Sequence, residues 1–232
     1  MQFVIGGVQK TSLLDYPDKI SAIVFTQGCN FRCGYCHNPV LLQKNSEKDI
    51  YNVDVFFEFL EKRKGKLDGV VITGGEPTLQ KDLKTFIKKI KEMDYLVKLD
   101  TNGTNPNVIE ELINENLIDY IAMDIKAPLD KYSTITNSDV NTEKIQRSIK
   151  LILNSNIDYE FRTTILSSQL TINDFEKIAK MLKGAKKYYL QKFNSKNPIY
   201  DETLSNEQTF TDTQFKKVIE ILKYTIPFVE IR

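Results

Sequence analysis

The sequence predicts an α/β fold, an incomplete TIM-like barrel of about six strand–helix units. Short apolar runs rich in β-branched residues alternate with longer amphipathic stretches, which is the order of parallel strands joined by helical crossovers. Apolar residues make up 41% of the chain, enough for a proper core. A closed eight-unit barrel usually takes about 250 residues. The 232 residues of this chain therefore indicate a barrel that is open at one side.

Apolar, partly β-branched runs predict the strands. The segment 20–26 is a compact run of this kind, typical of a strand buried on both faces. Gly6 and Gly7 punctuate the lead-in after a first short strand. The predicted strands are residues 2–5, 20–26, 70–72, 95–99, 120–125, 159–165, 187–193 and 228–231.

Stretches with helical periodicity predict the helices between these strands. In the segment 53–64, Val53, Phe56 and Leu60 fall on one face. The segment 81–93 turns apolar residues inward and its lysines outward, which is typical of a solvated face rather than of a binding patch. The predicted helices are residues 53–64, 81–93, 108–115, 142–153, 174–182 and 213–223.

The length favours one domain, residues 1–232. A lead-in segment, 1–19, precedes the barrel core, 20–193. The C-terminal segment, 194–232, holds a loop, a helix and a short strand. Its first part, 194–210, is rich in Asn, Ser and Lys and is predicted to be a surface loop.

Charge and targeting signals exclude several kinds of partner. With 32 basic and 31 acidic side chains the net charge is +1, so no global field attracts nucleic acid or an acidic membrane. No apolar run approaches the ~20 residues of a membrane span, and the start of the chain lacks a signal-peptide pattern. We therefore expect a cytoplasmic protein, in a compartment where thiols stay reduced, that binds neither nucleic acid nor membrane.

All the cysteines of the chain, Cys29, Cys33 and Cys36, lie within eight positions directly after the strand at 20–26. Chemistry in α/β folds is placed at this end of parallel strands. Three thiols on one loop can converge on an iron–sulfur cluster and leave one iron without a protein ligand. A disulfide would leave one thiol over. Zinc held by the three thiols and His37 stays open as an alternative, although adjacent residues point apart.

Two segments carry a resemblance to a known family. The segment 25–39, FTQGCNFRCGYCHNP, resembles the radical S-adenosylmethionine (radical SAM) superfamily, and its trailing His37-Asn38 is similar to the glycyl-radical-enzyme activases. The opening segment 5–17, IGGVQKTSLLDYP, is most similar to the activating proteins of anaerobic ribonucleoside-triphosphate reductase. The resemblance implies a radical SAM fold, S-adenosylmethionine as a cofactor, and a 4Fe–4S cluster with one open iron. The implied ligands of that cluster are Cys29, Cys33 and Cys36.

The turn at Gly74, Gly75 and Glu76 follows a predicted strand. Two glycines let another molecule approach the backbone closely. The resemblance implies that this turn takes the amino group of S-adenosylmethionine on strand-end carbonyls, with Glu76 nearby. A tight strand-to-helix turn is the structural alternative.

Four charged residues at or near predicted strand ends extend this site. The resemblance places Asp100, Asp124 and Lys126 around the methionine portion of the cofactor, with Lys126 offering its cation to a ribose hydroxyl or a carboxylate. For the two aspartates, capping of a helix is the commoner use. Arg162 would be costly to bury without an anion, so it binds either a ligand carboxylate or a partner such as Glu160 or a neighbouring strand.

The adenosine side of the predicted site is less well defined. Tyr35 resembles a family aromatic residue that packs near the adenine, and loop packing is the alternative. Related activases carry a histidine near the end of the last strand, whereas His37 is the only histidine of this chain. Phe193 offers an aromatic face for stacking instead. The predicted cofactor contacts on this side are Tyr35, Cys36, His37 and Phe193.

The activity implied by the resemblance is reductive cleavage of S-adenosylmethionine to a 5'-deoxyadenosyl radical, which takes a hydrogen from a glycine of a partner enzyme. The implied partners are a glycyl radical enzyme, anaerobic ribonucleotide reductase first, and an electron donor such as flavodoxin or ferredoxin. An open barrel suits such a macromolecular substrate. The alternatives are a radical enzyme acting on a small molecule, of the 7-carboxy-7-deazaguanine synthase type, and a non-catalytic zinc-binding module.

Overall fold

A single sheet of eight strands, in chain order, forms the centre of the computed structural model, which describes residues 2–43, 51–194 and 198–232. Strands β2 to β8 run parallel to one another, and β1 pairs antiparallel with β2. The last strand does not return to the first within the described residues, so the predicted open barrel is confirmed. The strands are β1 (Ile5–Ser12), β2 (Ser21–Thr26), β3 (Gly69–Gly74), β4 (Leu96–Thr101), β5 (Tyr120–Asp124), β6 (Asp158–Ile165), β7 (Lys187–Lys192) and β8 (Phe228–Ile231).

Helices connect the parallel strands in six crossovers, as the six predicted strand–helix units require. Asparagine side chains begin two of them, because Asn52 and Asn141 each accept hydrogen bonds from two backbone N–H groups of the first turn. No helix of the described chain is long and apolar enough to cross a membrane. The helices are α1 (Val53–Lys62), α2 (Leu83–Lys91), α3 (Pro106–Asn114), α4 (Tyr132–Thr136), α5 (Thr142–Leu153), α6 (Ile172–Met181) and α7 (Asp212–Lys223).

The first strand differs from its prediction. The sequence predicted a strand at 2–5 that stops before the two glycines, whereas β1 begins at Ile5 and runs through them. Glycine suits position 6 because a side chain there would collide with Leu41: an added Cβ would stand 2.5 Å from Leu41 Cδ2. Pairing with β2 thus outweighs the poor strand propensity of glycine. The short helix α4 was also not predicted.

The two faces of the sheet bury different kinds of side chain. Outward-facing residues such as Ile72, Leu99 and Phe161 pack under the helices in one large apolar core. The inner face holds a smaller apolar cluster of Tyr16, Ile23, Val71 and Tyr120. Further toward the carboxyl ends of the strands the inner face becomes charged, beginning with the buried Lys98. The polar end of the barrel is therefore the end at which the cysteine loop emerges.

Candidate cofactor site at the carboxyl ends of the strands

A pocket of about 330 Å³ lies at the carboxyl ends of the strands. It brings together residues that the sequence places up to 163 positions apart, between Cys29 and Lys192. Phe193 is the one predicted site residue that does not line it; Gln191 and Lys192, two positions that the sequence analysis did not select, line it instead. The predicted residues that line it are Cys29, Cys33, Tyr35, Cys36, His37, Gly74, Gly75, Glu76, Asp100, Asp124, Lys126 and Arg162.

The cysteine loop curls so that its thiols face this pocket. The Cys36 N–H donates to the Cys33 carbonyl at 3.1 Å, which closes a tight turn between these two residues. The Arg32 guanidinium donates from Nη1 to the carbonyls of Cys29 and Phe31, at 2.6 and 2.8 Å. Arg32 therefore holds the first half of the loop in the same curl.

A segment that was predicted only as a surface loop supports the second half of the cysteine loop. The Tyr200 N–H donates to the Cys36 carbonyl at 3.0 Å, and the Asp201 N–H donates to the Gly34 carbonyl at 2.9 Å. Leu204 packs against Gly34, where an added Cβ would stand 2.7 Å from its Cδ1. Residues 195–197 of the predicted loop lie outside the described residues. The described part of this segment braces the cysteine loop.

The two glycines at the end of β3, Gly74 and Gly75, pack closely on the protein's own backbone. Gly74 has φ of +111° and packs on Thr26, whose backbone nitrogen would stand 2.4 Å from an added Cβ. At Gly75 an added Cβ would stand 2.3 Å from the Gly28 carbonyl oxygen. The close approach predicted at these glycines is thus made by the end of β2 and the start of the cysteine loop.

Glu76 is a fully engaged carboxylate. Its Oε1 accepts from the Thr78 N–H at 3.1 Å and from the hydroxyls of Thr78 and Thr101. Its Oε2 accepts from the Asn102 N–H at 2.7 Å. Burial raises the pKa of Glu76, and these donors oppose that rise. The carboxylate therefore joins the turn after β3 to the turn after β4; its place near the ammonium of a ligand stays a prediction.

Glu76→Gln is expected to destabilise the protein by about 2 kcal/mol. Each carboxylate oxygen accepts from a backbone N–H, so the NH₂ group of glutamine would face a donor in whichever of the two positions it took. Chemical denaturation measures this loss. Glu143→Gln, an exposed carboxylate in the first turn of α5, should change the free energy of unfolding by less than about 0.5 kcal/mol. Equal effects of the two substitutions would contradict the assignment.

Four charged side chains of the pocket wall form a continuous row with the buried Lys98. They are Asp100, Asp124, Lys126 and Arg162. Arg162 donates from Nε to Asp124 Oδ1 at 2.9 Å and from Nη1 to Asp100 Oδ2 at 3.1 Å. Lys98 Nζ lies 2.7 Å from Asp100 Oδ1. Lys126 Nζ lies 3.0 Å from Asp124 Oδ2. Cations and carboxylates therefore alternate across β4, β5 and β6.

This alternation favours the charged forms of Asp100, Asp124 and Lys126. Burial alone would raise the pKa of Asp124, but Arg162 and Lys126 hold that pKa well below its usual range. The pKa of Asp100 is likewise lowered, against burial, by Arg162 and Lys98. Burial opposes the cation of Lys126, yet Asp124 raises its pKa well above the usual range.

Of the two roles left open for Arg162, the structure shows the salt bridge. Its two shorter ion pairs are with Asp124 on the neighbouring strand β5 and Asp100 on β4, and a longer one, at 3.9 Å, joins it to Glu160. Glu160 also accepts from the Tyr120 hydroxyl at 3.0 Å and from Arg232 Nη1 at 3.3 Å. The sequence could not identify these partners, because they depend on which strands are neighbours.

His37 is turned toward β7. Its Nε2 lies 2.8 Å from the Asn194 carbonyl oxygen, and its ring packs on Phe193 with ring centroids 5.7 Å apart. Within the described residues, no three His, Cys, Asp or Glu side chains meet at the spacing of a single-ion site. The zinc hypothesis required the His37 ring beside the thiols. In this structure the ring contacts the Asn194 carbonyl and Phe193 instead.

The donor set fits an iron–sulfur cluster. Cys33 is buried and Cys29 is half-buried, and burial raises the pKa of Cys29 to about 12. Burial raises the pKa of Cys33 as well, whereas the nearby Lys126 lowers it and so favours the thiolate. The Tyr35 hydroxyl is buried with no hydrogen-bond partner among the described residues. Thiolates bound to iron would use the sulfur donors and supply an acceptor beside that hydroxyl.

An open, mostly parallel α/β barrel with a thiol-lined pocket at the carboxyl ends of its strands defines an enzyme of the cofactor-dependent α/β class. The model of the radical SAM superfamily matches residues 23–182, and the chain belongs to this superfamily. Members of the superfamily bind a 4Fe–4S cluster and S-adenosylmethionine, which are the two cofactors predicted from the sequence. Membership in this superfamily argues against the hypothesis of a non-catalytic zinc module.

The chain is also similar to individual curated proteins. A Methanocaldococcus jannaschii protein, provisionally named a glycyl-radical enzyme activating enzyme, is 37% identical over 241 aligned positions that cover 100% of this chain and 97% of that protein. The pyruvate formate-lyase-activating enzyme of Clostridium pasteurianum is 32% identical, over 57% of this chain and 56% of its own. The 7-carboxy-7-deazaguanine synthase of Bacillus subtilis is 28% identical, over 61% of each chain.

Among solved structures, Streptococcus suis SuiB bound to the precursor peptide SuiA has a TM-score of 0.68 at 12% identity. The similarity covers 90% of this chain and 47% of SuiB, so this chain spans about half of that protein. SuiB has also been solved bound to S-adenosylmethionine. At this identity the likeness shows the fold alone.

Proposed function

We propose that this chain is a single-domain radical SAM activase, residues 1–232, that generates a glycyl radical on a partner enzyme. The observation that carries the proposal is the loop that turns three thiols into one pocket at the carboxyl ends of the strands. Similarity along the whole chain to a protein with an activase name supports the partner class.

In this proposal the cluster ligands are Cys29, Cys33 and Cys36. When bound, the cluster and S-adenosylmethionine supply one-electron cleavage of the sulfonium to methionine and a 5'-deoxyadenosyl radical. The contribution of the chain is to orient these groups and to keep water and oxygen away from them. Arg32 and the segment around Tyr200 hold the cysteine loop for this purpose.

The charged row receives the amino-acid portion of the cofactor. Backbone carbonyls at Gly74 and Gly75 accept hydrogen bonds from its ammonium, because the carboxylate of Glu76 is already engaged. Lys126 and Arg162 present cations to its carboxylate or to a ribose hydroxyl, and Asp100 and Asp124 hold those cations in place.

The adenosine portion lies beside Tyr35, His37 and the end of β7. Phe193 does not line the pocket, but its ring contacts the ring of His37, which does. The backbone of Cys36 is held toward the same side by Tyr200. In the absence of the histidine that related activases carry there, the His37–Phe193 pair supplies the aromatic surface.

The partner we propose is anaerobic ribonucleoside-triphosphate reductase, on the strength of the opening segment 5–17. A flavodoxin or a ferredoxin supplies the electron. The open side of the sheet gives a glycine-bearing segment a way to the pocket that a closed barrel would not offer.

The partner assignment is tested by electron paramagnetic resonance (EPR) of anaerobic mixtures of this protein, S-adenosylmethionine, a reductant and the reductase. We expect the signal of a glycyl radical on the reductase, and no such signal when Cys33→Ala replaces the wild-type protein. If 5'-deoxyadenosine forms while none of the glycyl radical enzymes of the same organism gains a radical, the activase assignment is wrong.

A small-molecule substrate is the second candidate, favoured by the similarity to 7-carboxy-7-deazaguanine synthase. In that case a pterin-like substrate should bind without any protein partner and raise the yield of 5'-deoxyadenosine. Isothermal titration calorimetry with the S-adenosylmethionine-loaded protein distinguishes the two, because the activase should not bind such a molecule.

A further inference from the structure

The hydroxyl of Tyr35 is a buried donor that the fold leaves unused. Only 5% of the Tyr35 surface is exposed, and its Oη has no hydrogen-bond partner among the described residues. Buried polar side chains in proteins are nearly always paired, so an unpaired one calls for an explanation. A residue at the wall of a cofactor pocket can have its partner in the cofactor.

The surroundings of this hydroxyl narrow the choice of acceptor. Lys126 Nζ lies 5.9 Å from the centroid of the Tyr35 ring, but an ammonium can only donate. The neighbouring Tyr132 is already engaged, because its hydroxyl donates to the Asp124 carbonyl and accepts from the Lys126 N–H, both at 3.3 Å. Two acceptors remain: the Asp124 carboxylate, which Arg162 and Lys126 already engage, and the Cys33 thiol, which the Tyr35 hydroxyl neighbours.

The turn between Cys33 and Cys36 is consistent with this placement. The hydrogen bond from the Cys36 N–H to the Cys33 carbonyl places Tyr35 within the same tight turn as these two cysteines. A neutral thiol is a weak acceptor, and here the two groups stay outside hydrogen-bond geometry. A thiolate on iron is a stronger acceptor, toward which the hydroxyl proton can rotate.

We propose that the Tyr35 hydroxyl donates a hydrogen bond to the iron-bound sulfur of Cys33 and thereby raises the reduction potential of the cluster. The inference rests on the proposed function in that it requires the cluster. Hydrogen bonds to cluster sulfurs are among the factors that set the potential, since a donor stabilises the reduced form, which carries more negative charge. Tyr35 is a positioning and tuning residue in this role and takes no part in bond breaking.

Tyr35→Phe removes the donor and keeps the ring. We expect its midpoint potential to shift to a more negative value than that of the wild-type cluster, at the same iron content. Redox titration of the anaerobically reconstituted full chain, followed by EPR of the reduced cluster, measures the shift. Reduction by a mild donor should slow, whereas reduction by a strong one should not.

Tyr188→Phe is the matched control. Tyr188 is also completely buried, but its hydroxyl donates to Thr163 Oγ1 at 2.6 Å and does not line the pocket. Its substitution should leave the midpoint potential at the wild-type value. Unchanged potentials in both variants, or equal shifts in both, would overturn the inference.

A second variant keeps the test decisive if Tyr35→Phe takes up no cluster. Introduction of 3-fluorotyrosine at position 35 preserves the ring and makes the hydroxyl a stronger donor, so the potential should become less negative. A potential that does not move, or moves the other way, overturns the inference. If the wild-type protein cleaves S-adenosylmethionine and these variants leave the potential unchanged, only the role of Tyr35 is refuted. If the wild-type protein takes up no cluster, the proposed function is refuted as well.

Discussion

Gly75→Ala is expected to lower cluster binding about tenfold while the fold remains. The added Cβ would stand 2.3 Å from the Gly28 carbonyl oxygen and 2.8 Å from its carbonyl carbon. Both are backbone atoms, and Gly28 is further fixed by its N–H bond to the Leu41 carbonyl at 2.8 Å. The start of the cysteine loop, one residue before Cys29, must therefore shift. Iron and acid-labile sulfide analysis after anaerobic reconstitution should show about a tenfold loss, in line with the cost of disturbing the support of a metal site.

Gly7→Ala is the control for this substitution. Gly7 lies in β1, and the nearest atom to its added Cβ is Phe25 Cδ2, at an ordinary contact distance of 3.9 Å. We expect wild-type iron content from this variant and unchanged far-ultraviolet circular dichroism from both. A Gly75→Ala protein that retains its full iron content would show that the contact between the two loops does not position the thiols.

Arg162→Met is expected to destabilise the protein by about 2–3 kcal/mol, because two largely buried carboxylates lose their shared cation and each keeps one lysine partner. The exposed fractions of the side chains are 14% for Arg162, 12% for Asp100 and 28% for Asp124. Urea denaturation at neutral pH measures the loss. Arg147→Met is the control, because the Arg147–Glu110 pair is about half exposed and such pairs contribute about 0–1 kcal/mol.

The same substitution should change how stability depends on pH. In the wild-type protein the pKa values of Asp100 and Asp124 are lowered, so their stabilising contribution is present above their unfolded pKa and is lost as pH falls through the folded pKa. Without Arg162, burial raises the pKa of both carboxyls, and protonation then relieves the repulsion. The difference between wild type and variant should therefore shrink as pH falls below about 4. A difference that is independent of pH would contradict the ion-pair account.

Periodicity located most of the fold. The helix α5 and the strand β8 have the bounds that were predicted, and β2 begins one residue later. The bounds of the first strand were predicted wrongly, because its glycines indicate a turn when they are considered alone, whereas pairing with β2 forms a strand through them. Pairing between segments is not encoded in local propensity.

The site was predictable in position and less so in detail. Strand-end residues such as Asp100 and Asp124 converge because parallel strands end at the same edge of the sheet. The partners of Arg162 and Glu76 depend on side-chain geometry between strands, so the sequence left them open. The contact between Tyr200 and the cysteine loop joins residues 164 positions apart, and no local signal marks it.

Cleavage of S-adenosylmethionine by the reconstituted protein tests the central claim most directly. Anaerobic protein with a full complement of cluster iron is mixed with S-adenosylmethionine and a strong reductant, and the products are separated by chromatography. The account predicts methionine and 5'-deoxyadenosine in equal amounts, and neither product from Cys33→Ala. Wild-type protein that carries the full cluster and yields no 5'-deoxyadenosine would contradict it.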